Sequence, residues 1–178
     1  VRANVKSIGG RMRSFAPDAF AGLVDDLPEQ RQQALGPVME VVAELSSQIR
    51  NYDRLIAQQV KASPEASLLK TITGVGDITS LTFVITIEDP ARFSSTRKVA
   101  SFLGLRPRLD QSGEQNPQLR ITRAGDRMLR CLLVQCAHYI LGKFGPDSDL
   151  RRWGLALAER GGKSAKKRAV VAVARKLS

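Results

Sequence analysis

The amino-acid sequence predicts a mainly α-helical fold, in which a long helix or coiled-coil scaffold precedes a small helical domain. Three observations support this prediction: a heptad spacing of apolar residues in the first third, a glycine turn between two apolar segments, and apolar residues at helical spacing in the second half. The small domain is expected to contain a helix-hairpin-helix-like turn and a short β-hairpin. We therefore divide the chain into a linker and scaffold, residues 1–62, and a basic C-terminal domain, residues 63–178.

The first 28 residues are expected to lead into the scaffold. Residues 2–13, "RANVKSIGGRMR", are a basic and weakly helical stretch interrupted by two glycines. Residues 14–28 contain two prolines and several acidic residues, which are typical of a linker around a short helix.

A long helix is predicted from Glu29 to about Lys61. Pro37 either kinks this helix or marks the first turn of its main part. Apolar residues beyond it occupy heptad positions, namely Val42, Leu45, Ile49, Tyr52 and Ile56. So short a repeat fits an amphipathic helix that packs within its own chain as well as an intermolecular coiled coil. The second interpretation predicts a homo-oligomer formed through residues 38–60.

A helix-turn-helix pattern follows. Ser63 is the predicted N-cap of a helix that runs to about Lys70, with Pro64 at its first position. The turn Thr73-Gly74-Val75-Gly76 comes next, and Asp77 is expected to cap a helix over 78–87, although the β-rich segment 82–87 fits a strand equally well. Gly74 and Gly76 either let the backbone approach a DNA phosphate or serve helix packing alone.

In the middle of the domain, a helix is predicted within 93–103, begun near Ser94 or Ser95 and ended by Gly104. A short hairpin is predicted after it. Basic and apolar residues alternate on both sides of a polar tip over 110–117, which places Ser112 in the turn. Thr122 is expected to introduce the next helix. On that helix Arg123, Arg127 and Arg130 are spaced to share one exposed stripe. Its buried face is expected to comprise Met128, Leu129, Leu132, Leu133, Cys136, Ala137, Ile140 and Leu141.

Two further helices are predicted, from Pro146 and Asp147 to about Arg160, and from Ser164 to the end of the sequence, separated by a glycine pair. Positive charge gathers where the last helix starts, at Lys163, Lys166, Lys167 and Arg168. Cations at a helix N-terminus oppose the helix dipole. This cluster therefore predicts binding of an external anion.

The charge distribution predicts a polyanionic partner. The chain has a formal net charge of +11, and residues 101–178, with 16 basic and 6 acidic residues, contribute +10 of it. Cys131 and Cys136 lie in an apolar helical pattern, which predicts buried thiols, and their spacing with His138 fits no common zinc pattern. His138 is expected on a helix surface or in packing. A signal peptide and an apolar run long enough for a membrane span are both missing from the sequence, so the protein is expected in the cytoplasm.

Ser112 has three interpretations: an ordinary turn residue, a phosphate-binding hydroxyl, or a nucleophile that attacks a DNA phosphodiester. The third requires cations that stabilise negative charge on the phosphorus in the transition state, and arginine suits this because it stays protonated and binds phosphate oxygens in pairs. The candidate phosphate-binding residues are Arg106, Arg108, Arg120, Arg123, Arg127 and Arg130.

Residues 66–178 resemble the C-terminal domain of the insertion-sequence-110 group of transposases, also named for elements 116 and 902. The segments "LLKTITGVGDITSLTFVITIEDPARF" and "VASFLGLRPRLDQSGEQNPQLRITRAGDRMLRCLLVQCAHYIL" carry the resemblance, with the GVG turn, the Ser-Gly pair and the "LRxLLVQxA" helix in the order of the family. The opening residues and the long helix resemble the family's linker and coiled coil.

The resemblance implies a DNA recombinase whose serine, Ser112 here, forms a covalent phosphoseryl-DNA intermediate. It also implies a separate N-terminal RuvC-like domain with a DEDD carboxylate set, to which any Mg²⁺ belongs, so that this chain itself needs no cofactor. A guide (bridge) RNA and assembly of protein dimers on DNA are further implications. Where the family often has a second glycine after Ser-Gly, this sequence has Glu114.

The sequence therefore predicts a fragment of a transposase, incomplete in activity without the RuvC-like domain. The alternative is a nucleic-acid-binding and oligomerising module without catalysis, in which Ser112 is only a turn residue.

Overall fold

Seven α-helices and one 3-10 turn make up most of the part of the chain that the computed structural model describes, namely residues 29–110, 112, 119–162 and 164–178. The mainly α-helical fold class is therefore confirmed. The predicted basic stretch 2–13 and linker 14–28 lie outside the described residues. Among the described helices, none combines the length and the apolarity needed to cross a bilayer.

The first helix, α1, spans Glu29–Ala62, as predicted. Pro37 lies inside it, and the helix continues on both sides. At three of the predicted heptad positions, Leu45, Ile49 and Tyr52, the side chains are 58–64% exposed. An exposed apolar stripe on a long helix is what an intermolecular coiled coil requires, but its partner stays a prediction.

The chain divides into two compact units, Val1–Leu55 and Ile56–Ser178. The predicted domain boundary after residue 62 stays a prediction. All of the helices that follow α1 belong to the second unit.

Helix α2 spans Pro64–Leu69 and begins at the predicted N-cap. The Oγ of Ser63 accepts a hydrogen bond from the backbone N–H of Ala66 at 3.1 Å, and the Ser63 hydroxyl donates to Oε2 of Glu65 at 3.0 Å. A hydrogen bond from the backbone N–H of Glu65 itself, followed by the one from the Ser63 hydroxyl, lowers the pKa of the Glu65 carboxyl. The short helix is thus held by its cap.

Helix α3 spans Asp77–Ile87, so the segment 82–87 is helical despite its β-rich composition. Tertiary packing overrides propensity here, because Ile87 is buried in the core and Phe83 packs against it, while Thr79 and Ser80 are buried one to two turns earlier on α3. The expectation that Asp77 caps α3 is wrong. Gly76 is the N-cap, without a side-chain hydrogen bond, and the Asp77 carboxylate instead pairs with Nζ of Lys70 at 2.5 Å.

Helix α4 spans Thr96–Phe102 and starts after Ser95. Its predicted start near Ser94 or Ser95 is confirmed, because Ser95 is the N-cap. The 3-10 turn Pro90–Arg92 precedes the helix, and Phe93, at the edge of the predicted range, is extended. Gly104 follows with a φ of +67°, a left-handed conformation that glycine adopts without steric cost. The predicted stop at Gly104 is therefore in place.

Helix α5 spans Arg127–Leu141 and is the centre of the second unit. Its predicted start at Thr122 is wrong, because Asp126 caps it: Oδ1 of Asp126 accepts the backbone N–H of Leu129 at 2.6 Å. One face of α5 is buried in the core, at Leu129, Leu133, Ala137 and Ile140. Met128 and Cys131 lie away from that face and are exposed, so their predicted burial is also wrong, whereas Cys136 is buried. His138 is exposed.

Helices α6, Asp149–Glu159, and α7, Ala165–Lys176, complete the fold. Helix α6 starts later than predicted because the Ser148 hydroxyl caps it, accepting the N–H of Arg151 at 3.2 Å. Gly154 on α6 is buried, and a Cβ there would lie 2.6 Å from Cγ2 of Val173 and 2.7 Å from Cδ2 of Leu141. A larger residue would therefore push α6 away from α5 and α7.

Arg130 is buried, with 9% of its surface exposed. Its Nη1 donates to the carbonyl oxygens of Ala124 at 2.8 Å, Leu103 at 3.0 Å and Asp126 at 3.4 Å. The guanidinium thus joins the end of α4, the segment before α5 and the start of α5. The prediction that Arg130 lies on an exposed stripe is wrong, because its position on α5 turns it toward these carbonyls.

We expect the substitution Arg130→Met to lower the free energy of unfolding by about 2–3 kcal/mol, because it leaves buried carbonyl oxygens without a donor. Urea unfolding followed by circular dichroism measures this change. The matched control is Arg127→Met, an exposed arginine on the same helix, which should shift stability by less than about 0.5 kcal/mol. Equal unfolding midpoints for the two variants would contradict the structural role of Arg130.

Candidate nucleic-acid interface

The loop that contains Ser112 is closed at its base by a short antiparallel pairing. Pro107 and Ile121 form an isolated bridge. On either side of it, the N–H of Arg108 donates to the carbonyl of Arg120 and the N–H of Thr122 donates to the carbonyl of Arg106, each at 2.9 Å. We call residues 104–108 and 120–123 the loop stem. The predicted hairpin is thus present at its base, whereas residues 111 and 113–118 of its tip lie outside the described residues.

Ser112 is exposed. Its hydroxyl is therefore accessible to a ligand that approaches from solvent. Exposure is compatible with each of the three interpretations of this serine.

Three arginines with exposed side chains line the loop stem: Arg106, Arg108 and Arg120. Arg108 and Arg120 stand opposite each other in the pairing, where like charges destabilise a β-ladder. Among the described residues, no carboxylate forms an ion pair with any of the three, and the one side-chain hydrogen bond runs from Nη1 of Arg106 to Oγ of Ser101 at 3.4 Å. An external anion would relieve this repulsion.

Arg123 is the last residue of the loop stem, and Arg127 follows it four residues later; both side chains are exposed. Arg123 has a φ of +61°, which costs a residue with a side chain about 1 kcal/mol, and its N–H donates to the carbonyl of Gly104 at 3.1 Å. The predicted stripe of three arginines on one helix is wrong, because Arg123 precedes α5 and Arg130 is buried. Arg127 is the first residue of α5.

The glycine turn between α2 and α3 packs against α5. A Cβ at Gly74, whose φ is +88°, would lie 3.0 Å from Cγ1 of Ile140 and 3.2 Å from Cδ1 of Tyr139. Gly76 has no neighbour within 4 Å of such a Cβ. The Asp77 carboxylate already occupies the first turn of α3, so a phosphate at this turn would approach a negative charge. Packing therefore accounts for Gly74, and phosphate binding here stays a prediction.

The start of α7 carries positive charge and no acidic residue in its first turn. Lys166 and Lys167 are exposed, Nη2 of Arg168 donates to the carbonyl of Gly161 at 3.4 Å, and Lys163 lies outside the described residues. The predicted conflict with the helix dipole is therefore present at Lys166 and Lys167.

An open cleft of about 460 Å³ lies where α4, α6 and α7 meet. The residues that line it, among them Arg97, Trp153, Arg175 and Lys176, were not predicted as site residues from the sequence. They are far apart along the chain, so no local pattern connects them. The single tryptophan of the sequence, directly after two arginines, was the one signal that could have drawn attention to this region.

By contrast, Arg151 and Arg152, which precede Trp153 in the sequence, both have partners within the protein. Nη2 of Arg152 pairs with Oδ1 of Asp149 at 2.6 Å, and its Nη1 pairs with Asp147. The hydrogen bond to Asp149, followed by the attraction of Asp147, raises the pKa of Arg152. Arg151 donates to the carbonyls of Ile140 and Gly142 at the C-terminus of α5, where a cation is favourable. Within the described residues, no group of three His, Cys, Asp or Glu side chains could hold a metal ion.

Comparison with known proteins identifies relatives of this chain. It is 33% identical over 129 residues to the transposase for insertion sequence element IS1111A of Coxiella burnetii, and 33% identical over 155 residues to the putative transposase y4pF/y4sB of Sinorhizobium fredii. It is also 33% identical over 137 residues to the pilin gene-inverting protein of Moraxella lacunata. These alignments cover 72%, 85% and 74% of this chain, respectively.

The chain spans only part of each relative, namely 35%, 39% and 41% of their lengths in the same order. The segment that matches a family begins within α2 and ends in the first turn of α6, so it includes the glycine turn, α3 to α5 and the loop that contains Ser112. Residues 66–151 of this chain match the model of a transposase family, described as the transposase IS116/IS110/IS902 family.

Proposed function

We propose that this chain is part of a DNA transposase in which Ser112 is the nucleophile that cleaves and rejoins DNA strands. The observation that supports the proposal most directly is the loop stem, which carries three exposed arginines, unpaired with any described carboxylate, at the base of the loop that contains the exposed Ser112. The stem lies within the segment that matches the transposase family. The name of one relative, pilin gene-inverting protein, agrees with a reaction that rearranges DNA.

The proposed reaction is a transesterification. A bond forms between Oγ of Ser112 and a DNA phosphorus, while the bond between that phosphorus and a deoxyribose oxygen breaks. The serine proton passes to solvent or to a base outside this chain, and the leaving oxygen takes up a proton. Arg106, Arg108 and Arg120 would stabilise the negative charge on the phosphorus in the transition state. The covalent phosphoseryl-DNA keeps the bond energy, so rejoining needs no nucleotide cofactor.

The remaining parts of the proposal rest on the family resemblance and on the relatives' greater length. A RuvC-like domain with its DEDD carboxylates and Mg²⁺ would complete the active site, and a guide RNA would select the DNA. Arg123, Arg127, Lys166 and Lys167 would bind flanking phosphates. Arg130 would act through the position of the loop stem instead, because its Nη1 is already bonded to three carbonyls.

A second candidate function is a nucleic-acid-binding and oligomerising module without catalysis. The exposed arginines and lysines support it by themselves, since they suit phosphate contacts whether or not Ser112 reacts. The two candidates differ only in the fate of the serine hydroxyl.

Replacement of the nucleophile distinguishes them. In a full-length transposase that contains this segment, we expect Ser112→Ala to lower recombination by about 10³-fold or more, because no other group replaces a lost nucleophile. Peptide mapping of protein trapped on its DNA should find the covalent adduct on the peptide containing Ser112. The control Ser94→Ala changes another exposed serine of the same domain and should recombine normally. Full recombination by Ser112→Ala would leave only the binding function.

The loop-stem arginines should affect binding and stability in opposite directions. In Arg108→Gln/Arg120→Gln, the slope of log affinity against log salt for DNA should fall by about two, because two phosphate contacts are lost. Relief of the like-charge pair should raise the free energy of unfolding by about 0.2–1 kcal/mol. Fluorescence anisotropy at several salt concentrations and urea unfolding measure the two effects. Lys143→Gln/Arg160→Gln is the charge-matched control, and an equal loss of slope there would mean that the stem has no special role.

The exposed stripe on α1 is the proposed oligomer interface. A charge at its centre, Ile49→Lys, should dissociate the oligomer, because a buried ammonium in an apolar seam is strongly unfavourable. Light scattering after size exclusion measures the mass. Gln58→Lys adds the same charge outside the heptad positions and should leave the mass unchanged. An oligomer that survives Ile49→Lys excludes α1 as the seam.

A further inference from the structure

The cleft between α4, α6 and α7 combines positive charge with an aromatic ring. Its volume of about 460 Å³ falls in the range of about 300–1,000 Å³ typical of ligand sites. Arg97 on α4 and Arg175 and Lys176 on α7 bring three cations to it from two helices, and no Asp or Glu side chain of the described residues lines it. The cleft therefore suits an anion.

The three cations are exposed, and within the described part of the chain none of them forms an ion pair. Arg152, next to Trp153 in the sequence, shows the contrast, since two carboxylates neutralise it. Like charges gathered in one concave site raise the local positive potential. A ligand with phosphate groups would reduce this repulsion on binding.

Trp153 supplies a flat surface in the same cleft. The indole is half-buried, and the ammonium Nζ of Lys176 lies 4.3 Å from the ring centroid. Gly154 brings α6 close against Val173 of α7, which places the preceding tryptophan beside the last turn of α7. The contact between Lys176 and the ring is a weak cation–π interaction on a flexible side chain, so the ammonium can move to a phosphate and free the ring face.

We propose that this cleft binds a single-stranded segment of nucleic acid, with one unpaired base stacked on Trp153 and adjacent phosphates held by Arg97, Arg175 and Lys176. Aromatic rings flanked by cations are how proteins bind single strands without reading their sequence. Duplex DNA is a poorer fit, because its bases are paired and stacked and reach a half-buried indole only after flipping out. The proposal is independent of the role of Ser112.

The single tryptophan makes the test direct, since all tryptophan emission of the chain comes from Trp153. The 178-residue chain is titrated with an oligothymidylate of about twelve nucleotides, with its duplex, and with thymidine monophosphate. We expect saturable quenching by the single strand and little quenching by the duplex or by the mononucleotide. An oligouridylate of the same length compares RNA with DNA. Equal quenching by duplex and single strand, or none by either DNA or RNA strand, overturns the proposal.

Variants separate the ring from the charges. Trp153→Ala should weaken binding of a labelled single strand about tenfold, as measured by anisotropy, while Trp153→Phe should keep most of the affinity because it retains a stacking surface. Circular dichroism checks that both variants fold. Equal affinity of folded Trp153→Ala and the unchanged chain overturns the proposal. If Trp153→Ala does not fold, the test uses Trp153→Phe together with the charge variant described below. The cleft is supported if Trp153→Phe binds as tightly as the unchanged chain and the charge variant loses quenching. Retained quenching in the charge variant overturns the proposal.

The charge variant keeps the fluorescent reporter. Arg97→Gln/Arg175→Gln should weaken the quenching transition at least about tenfold and reduce its salt slope by about two. The control Lys98→Gln/Arg160→Gln removes the same charge from exposed positions outside the cleft and should leave the quenching amplitude unchanged. Equal effects of the two double variants mean that the cleft has no specific role.

Discussion

The geometry around the loop that contains Ser112 depends on the buried guanidinium of Arg130. It holds the carbonyl at the end of α4, the carbonyl of Ala124 after the loop stem, and the cap of α5, so that both ends of the loop are fixed to one helix. That helix supplies the centre of the hydrophobic core. Backbone dipoles surround the buried charge, which satisfies its hydrogen bonds without a described acidic partner. Core packing and loop placement are therefore one structural unit.

The positive charge of the second half divides into two groups of side chains. Arg130, Arg151 and Arg152 are engaged within the protein, by carbonyls at the ends of helices or by two aspartates. The exposed arginines of the loop stem, Lys166 and Lys167 at the start of α7, and the three cations of the cleft have no carboxylate partner among the described residues. A net charge counts both groups equally, although only the second can contribute to binding a polyanion.

Most of the helices could be predicted from the sequence, because caps and glycines act over a few residues. Ser63 and Gly104 bound their helices as local chemistry requires, and α1 follows from its repeat. Tertiary packing decides the rest. The segment 82–87, whose composition fits a strand equally well, is helical and packs against the core through Phe83 and Ile87. The predicted exposure of Arg130 is wrong, because carbonyls from three segments turn its side chain inward. The cleft could not be predicted, since it joins residues from three helices that are distant in sequence. The loop stem was predicted from alternation, and the role of Ser112 came from resemblance.

The short pairing of the loop stem has a consequence for how such proteins diverge. Two backbone hydrogen bonds of the stem, together with the Arg130 side chain of α5, close the loop independently of what lies between Leu109 and Leu119. Closing a flexible loop becomes only slightly less favourable as residues are added, by about 0.6 kcal/mol for each doubling. Insertions and deletions at the tip can therefore accumulate in homologues while the helices stay intact. Evolution can thus adjust reach toward a substrate and thermodynamic stability as separate traits.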